Sequence, residues 1–168
     1  MKAISLHRPW ASMIVLGPKD VENRTWKWKY NGPVVINAAQ EFDQKAYEML
    51  VNAGDIHPSW KPDRFKPGLA GIVKKVGCVF RHGYETYGWR NARTAGCDPV
   101  PWSDWHEVEH WGWYFEQRVP FLRRIEYSGS QGIMNLDDDI LGTVITEQLL
   151  NIPVYKIRVS EPIHPSQA

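Results

Sequence analysis

A chain of 168 residues, 43% hydrophobic and 23% charged, has the composition of a folded globular domain, which excludes disorder and leaves room for one core rather than two. Its formal net charge of +1 excludes nucleic-acid attachment through overall charge, so any basic footprint is local. Cys78 and Cys97 stand too far apart for a CxxC motif and too few for a disulfide framework, the apolar run 13–16 is too short for a signal peptide, and no stretch approaches the ~20 apolar residues of a membrane span. The expectation is a cytoplasmic protein with no membrane contact, no disulfide partner and no cofactor.

Ala3 to Leu6 is expected to form an opening strand, after which Pro9 suits the first position of a short helix ending near Gly17, with Trp10, Met13, Ile14 and Gly17 along one face. Val21 to Trp26 reads as a strand, Asn31-Gly32 as a turn and Val34-Val35-Ile36 as a second strand, together a hairpin. Asp43 caps a second helix to Ala53, closed by Gly54, with Ala46, Leu50 and Ala53 spaced for burial. A proline-bearing loop over 55–68 leads into a long strand, Leu69 to Phe80, that carries Lys74 and Lys75. Residues 81–104 lack periodicity and read as an insertion or lid. Trp113 to Phe121 and Ile133 to Leu136 are expected strands, parted by a turn at Gly129-Ser130-Gln131-Gly132. Asp137 to Asp139 start a helix to about Leu150, and Val154 to Val159 alternates as a closing strand. These elements make an α+β domain: a mixed, partly closed β-barrel of five to seven strands with two or three helices at its rim.

Along an extended Glu22 to Trp26 the side chains alternate, so Glu22, Arg24 and Trp26 share one face and Asn23 and Thr25 the other. Lys19 stands just before, within reach of Glu22 if the chain bends. Such a lysine is a structural ion pair, an anion hook or a general base, depending on burial. The pattern GxKxxExR, met by Gly17, Lys19, Glu22 and Arg24, resembles the signature of ASCH domains, a PUA-like family. Pro9-Trp10-Ala11, Val35-Ile36-Asn37-Ala38 and the Gly129 to Gly132 turn are also similar to members of that family. The resemblance implies a single PUA-like domain over 1–168 that recognises RNA or a nucleotide in a cleft between the first helix and the signature strand. Small hydrolases of the family that act on N4-acetylcytidine keep the motif lysine and a threonine three residues on. Here Lys19 is kept and Glu22 takes the threonine's place, so a group that can only accept or relay protons replaces a hydroxyl nucleophile.

Nine tryptophans in such a chain exceed what a core takes up, so some are expected to line a recess. Trp10 and Trp26 are candidates to sandwich a planar base, Glu22 to accept from an exocyclic amine, and Asn37 and Gln131 to supply paired donor and acceptor contacts. Arg8, Lys27 and Lys29 are candidate phosphate contacts. The expected partner is RNA, another single-stranded nucleic acid or a nucleoside, entering with one base, modified or not. The alternative is an enzyme acting on RNA or modified nucleosides, an amide hydrolase or a ribonuclease, in which Lys19 and Glu22 share proton transfer. For each of these residues a structural reading stands beside the functional one: ion pair for Lys19 and Glu22, backbone brace for Arg24, core packing for Trp10 and Trp26, turn residue for Gln131. His106, Glu107 and His110 spell HExxH, a zinc pattern that needs a full helix, but Pro99, Pro101 and Gly112 leave barely two turns. No metal is expected there, and the segment reads as a polar loop with solvated or cleft-rimming histidines. Arg118, Arg123 and Arg124, interleaved with Phe121 and Leu122, read as part of an ordinary half-exposed strand, with a nucleic-acid track as the alternative.

Overall fold

The computed structural model describes residues 1–61, 65–82 and 103–150. Its elements in chain order are β1 (Lys2–Arg8), α1 (Trp10–Leu16), β2 (Val21–Arg24), β3 (Gly32–Phe42), α2 (Gln44–Ala53), β4 (Gly68–Phe80), β5 (Trp111–Ile125), β6 (Ile133–Asn135) and α3 (Asp138–Leu150). The strands form one six-stranded sheet in the order β2-β5-β4-β3-β1-β6. It curls so that β2, at one end, faces β1 near the other across an open seam, where the Arg24 guanidinium lies 3.5 Å from the Ser5 carbonyl. This is the expected mixed, partly closed barrel with three helices. The Val154 to Val159 strand and nearly all of the proposed lid, with Cys97, lie outside the described residues.

The β-branched run of β3 is buried on both faces, which is why it shows no polar alternation. Val34 and Ile36 pack inward with Ile4, Leu6, Val73 and Phe115. Val35 turns outward, with Ala3, Leu69 and Ile72, under Leu136 and Val144 of the α3 region. Full burial of each such side chain contributes about 1.5–3 kcal/mol. α1 closes one end of the barrel with Ala11, Ile14 and Val15 in that core, while Met13 joins Tyr47 and Leu50 of α2. Pro9 stands one position outside α1 as its N-cap, after a cis peptide bond with Arg8. In α2, Asp43 accepts from the Ala46 amide and Gly54 takes the left-handed conformation, as the sequence predicts, but Ala53 is exposed and Tyr47 fills the buried face instead.

The expected hairpin of residues 21–26 with 34–36 does not form. β2 pairs antiparallel with β5, Glu22 opposite Trp113, whereas β3 runs parallel to β1 and antiparallel to β4. The reason lies in the connection: Trp28 is buried against Trp113 and stacks on Tyr30 at 5.4 Å, so residues 25–31 pack as part of the core instead of turning back on β2. In β4, Lys74 is exposed, whereas Lys75 is 0% exposed, its ammonium bonded to Asn31 Oδ1 at 3.0 Å and set over the Trp28 ring.

Candidate nucleic-acid interface

The signature segment folds back on itself because Gly17 ends α1 at φ 112, a left-handed conformation that glycine adopts without a side-chain penalty. The amides of Gly17 and Lys19 both bond to the Met13 carbonyl, and this returns Lys19 toward the start of β2. Lys19 is only 5% exposed. Its ammonium donates to the Val21 carbonyl, sits 3.5 Å from Glu22 Oε2, and lies 5.5 Å from the Trp10 ring. The other oxygen of Glu22 is 3.1 Å from Arg24 Nη2. One carboxylate is thus held between two cations, with neither of its oxygens left over.

Arg24 continues the chain of contacts across the seam to the Ser5 carbonyl and stands over the Trp113 ring at 5.6 Å. Beside it lies a recess of about 290 Å³ lined by Ile4, Arg24, Trp26, Trp113, Gln131 and Gly132. Trp26 is 44% exposed, its ring edge-on to Trp113 at 4.6 Å, and the Trp113 indole N–H donates to the Trp26 carbonyl at 3.3 Å. Trp26 is therefore a large apolar surface held in place but open to solvent. Gln131 forms the opposite lip and is exposed. Behind it Asn37, 2% exposed, donates to Ser5 Oγ at 2.9 Å, and its Oδ1 has no partner. The loop carrying Gln131 presses on this pair: a β-carbon at Gly129 would lie 2.5 Å from Asn37 Nδ2 and 2.8 Å from Ser5 Oγ, so a larger residue there would have to displace one of these side chains.

The structure thus brings Glu22, Arg24, Trp26 and Gln131 together at one seam, with Lys19 behind Glu22 and Asn37 beneath. Trp10 takes a different neighbour, packing edge-on against Trp105 at 6.5 Å, so it and Trp26 belong to separate aromatic pairs. Arg8 is committed to the carbonyls of Phe65 and Gln40 and lies over the Phe42 ring. Lys27 stands over Trp111 at 5.3 Å, and Lys29 is exposed.

The HExxH segment is a series of turns, not a helix, and among the described residues no group of three metal-ligating side chains converges. Its first histidine corrects the expectation of a solvated loop: His106 is 3% exposed, bonded through Nδ1 to the Tyr114 hydroxyl and through Nε2 to the His110 carbonyl, both at 3.0 Å. A carbonyl only accepts, so Nε2 carries the proton and Nδ1 accepts from Tyr114. Burial pushes the His106 pKa down, and burial, aided by the charge of Asp20, pushes the Tyr114 hydroxyl up to about 12. Ser103 bonds to Asp20, and the Asn23 side chain bonds to the Trp105 carbonyl and the Glu107 amide. The polar face of β2, Asn23, thereby clamps this segment, while the opposite face carries the seam.

With this geometry in view, the comparison with known families is decisive: the ASCH domain family matches residues 4–122, well over half the chain. The chain belongs to the ASCH domain family. That family is a PUA-like one generally associated with RNA binding. No curated protein matches the sequence. The whole GxKxxExR signature falls within the matched span of this ASCH domain, and Gln131 falls beyond it. Trp113 is the recess residue that sequence reading missed. It read as one position in a strand, and only the pairing of β5 with β2 puts it opposite Glu22. No helix of the described residues is long and apolar enough to cross a membrane.

Proposed function

We propose that this ASCH domain binds single-stranded RNA or a nucleoside by admitting one base into the seam recess, against the exposed ring of Trp26 and under Arg24 and Gln131. The observation that carries the proposal is the recess itself. Its ~290 Å³ lies just below the roughly 300–1,000 Å³ range of ligand sites, a size for one base rather than a duplex. Trp26 offers a π-face, Arg24 a planar donor, and Gln131 a donor and acceptor for a base edge. Glu22 serves this site as an anchor: with one oxygen toward Lys19 and the other toward Arg24, it fixes Arg24 at the lip. The same arrangement favours recognition over catalysis, since Glu22 holds two cations of the protein and is not among the residues that line the recess.

Titration of short single-stranded RNA and free nucleosides against wild type and Trp26→Ala tests this reading. The Trp26 ring is 44% exposed and otherwise packs on Trp113, so its truncation lowers the unfolding midpoint somewhat and the affinities are compared at a temperature where both proteins are folded. Losing one stacked base weakens RNA binding by roughly five- to 150-fold, corresponding to ~1–3 kcal/mol. Unchanged affinity in Trp26→Ala contradicts the proposal, and turnover of RNA or an N-acylated nucleoside that depends on Lys19 would replace it with the enzymatic reading.

A further inference from the structure

On the other side of the loop that ends at Gln131 lies a second, larger cleft of about 600 Å³, whose polar lining includes Gln40, Lys66, Arg124, Glu126, Tyr127 and Ser128. Most of these residues fall beyond the span matched by the ASCH family. Arg124 reaches across to α1, where Nη2 donates to Ser12 Oγ at 2.8 Å, while Nη1 is buried with no partner. Arg8 stands near enough to repel it, with its own Nε buried and unpartnered and its other nitrogens on backbone carbonyls. Among the described residues neither guanidinium is paired with a carboxylate, and Glu126 at the rim is ion-paired with neither Arg124 nor Lys66. Burial, with Arg8 adding to it, brings the Arg124 pKa down to about 10, still far above neutrality, so Arg124 stays charged. Arg124 and the exposed Lys66 line the cleft with Glu126 as the one carboxylate among its lining residues, and Arg8 stands close enough to add its field, so cationic groups outnumber anionic ones and leave a local positive field that an anion neutralises. In a chain of net charge +1 such a concentration is local by arrangement, not by composition.

We infer that this cleft is a phosphate subsite, taking a backbone phosphodiester of the same strand whose base occupies the seam recess. The inference rests on the base-binding reading for its ligand, and the loop 126–132 supplies the connection, with Tyr127 and Ser128 on one side and Gln131 on the other. A tetranucleotide and a free nucleoside, titrated over a range of salt against the wild-type chain, Lys66→Gln and Arg124→Gln, test it. Because Arg124 also braces α1, the exposed Lys66 decides the outcome. Lys66→Gln is expected to weaken tetranucleotide binding several-fold and to reduce the slope of log K against log salt by about 0.7, while nucleoside affinity stays the same. Tetranucleotide affinity and salt slope equal to wild type in Lys66→Gln overturn the subsite, even where nucleoside binding stands. A nucleoside that fails to bind, beside a tetranucleotide that still responds to Lys66, removes the base reading and leaves the phosphate subsite in place.

Discussion

At the scale of the residue, the main economy is Glu22. One carboxylate compensates a nearly buried lysine and a half-buried arginine, so its loss leaves two cations without their anion. Glu22→Gln keeps the shape and removes the charge. Breaking a buried pair this way costs about 3–5 kcal/mol, read as a lowered urea midpoint, and a loss below about 1 kcal/mol would mean that Arg24 and Lys19 find other partners. His106 gives a second test. Its folded-state pKa lies below the ordinary value of 6.5, so the unfolded chain takes up the proton first as pH falls. The stability it contributes is therefore complete above pH 6.5 and declines as pH drops below that value toward the folded pKa. Urea midpoints at pH 7 and pH 5 should differ more in wild type than in His106→Gln, and equal differences would show that another group titrates. The seam was legible in part at this scale because alternation in a strand is geometric: Glu22 and Arg24 had to share a face, whereas β2 ends at Arg24 and Trp26 reaches the seam from the bend that follows. His106 was not legible, since nothing local distinguishes a histidine in a polar turn from one sealed under a distant tyrosine.

At the scale of the element, local chemistry and tertiary pairing part company. Helix α2 is announced by its ends, Asp43 and Gly54, and Asp43→Ala should cost about 1 kcal/mol through the lost bond to the Ala46 amide. Thermal unfolding measures it, and no loss would mean that packing of Tyr47 and Leu50 alone holds the helix start. Strand identity was equally readable, because β-branched runs such as 34–36 have few other uses. Strand partners were not. The expected turn at Asn31-Gly32 is absent: Gly32, at φ 143, is already the first residue of β3, and the chain enters the far half of the sheet because Trp28 just before it is drawn into the core. A turn motif reports a change of direction, and the partner is set by what else the connection must bury.

At the scale of the whole molecule, the domain is a curled sheet with one unsealed seam, and its signature residues sit where the sheet fails to close. Arg24 reaches from β2 to the Ser5 carbonyl of β1 in place of a backbone ladder, which leaves space beside it for a ligand. A net charge of +1 fits the proposed mode, in which affinity would come from one stacked base and a few phosphates near the loop 126–132. The most direct test of the central claim is amide and indole chemical-shift mapping of the full chain during titration with a short single-stranded RNA. The largest changes are expected at the Trp26 and Trp113 indoles, Arg24 and Gln131, fading toward Trp10. Changes centred elsewhere, or none at millimolar RNA, would contradict it.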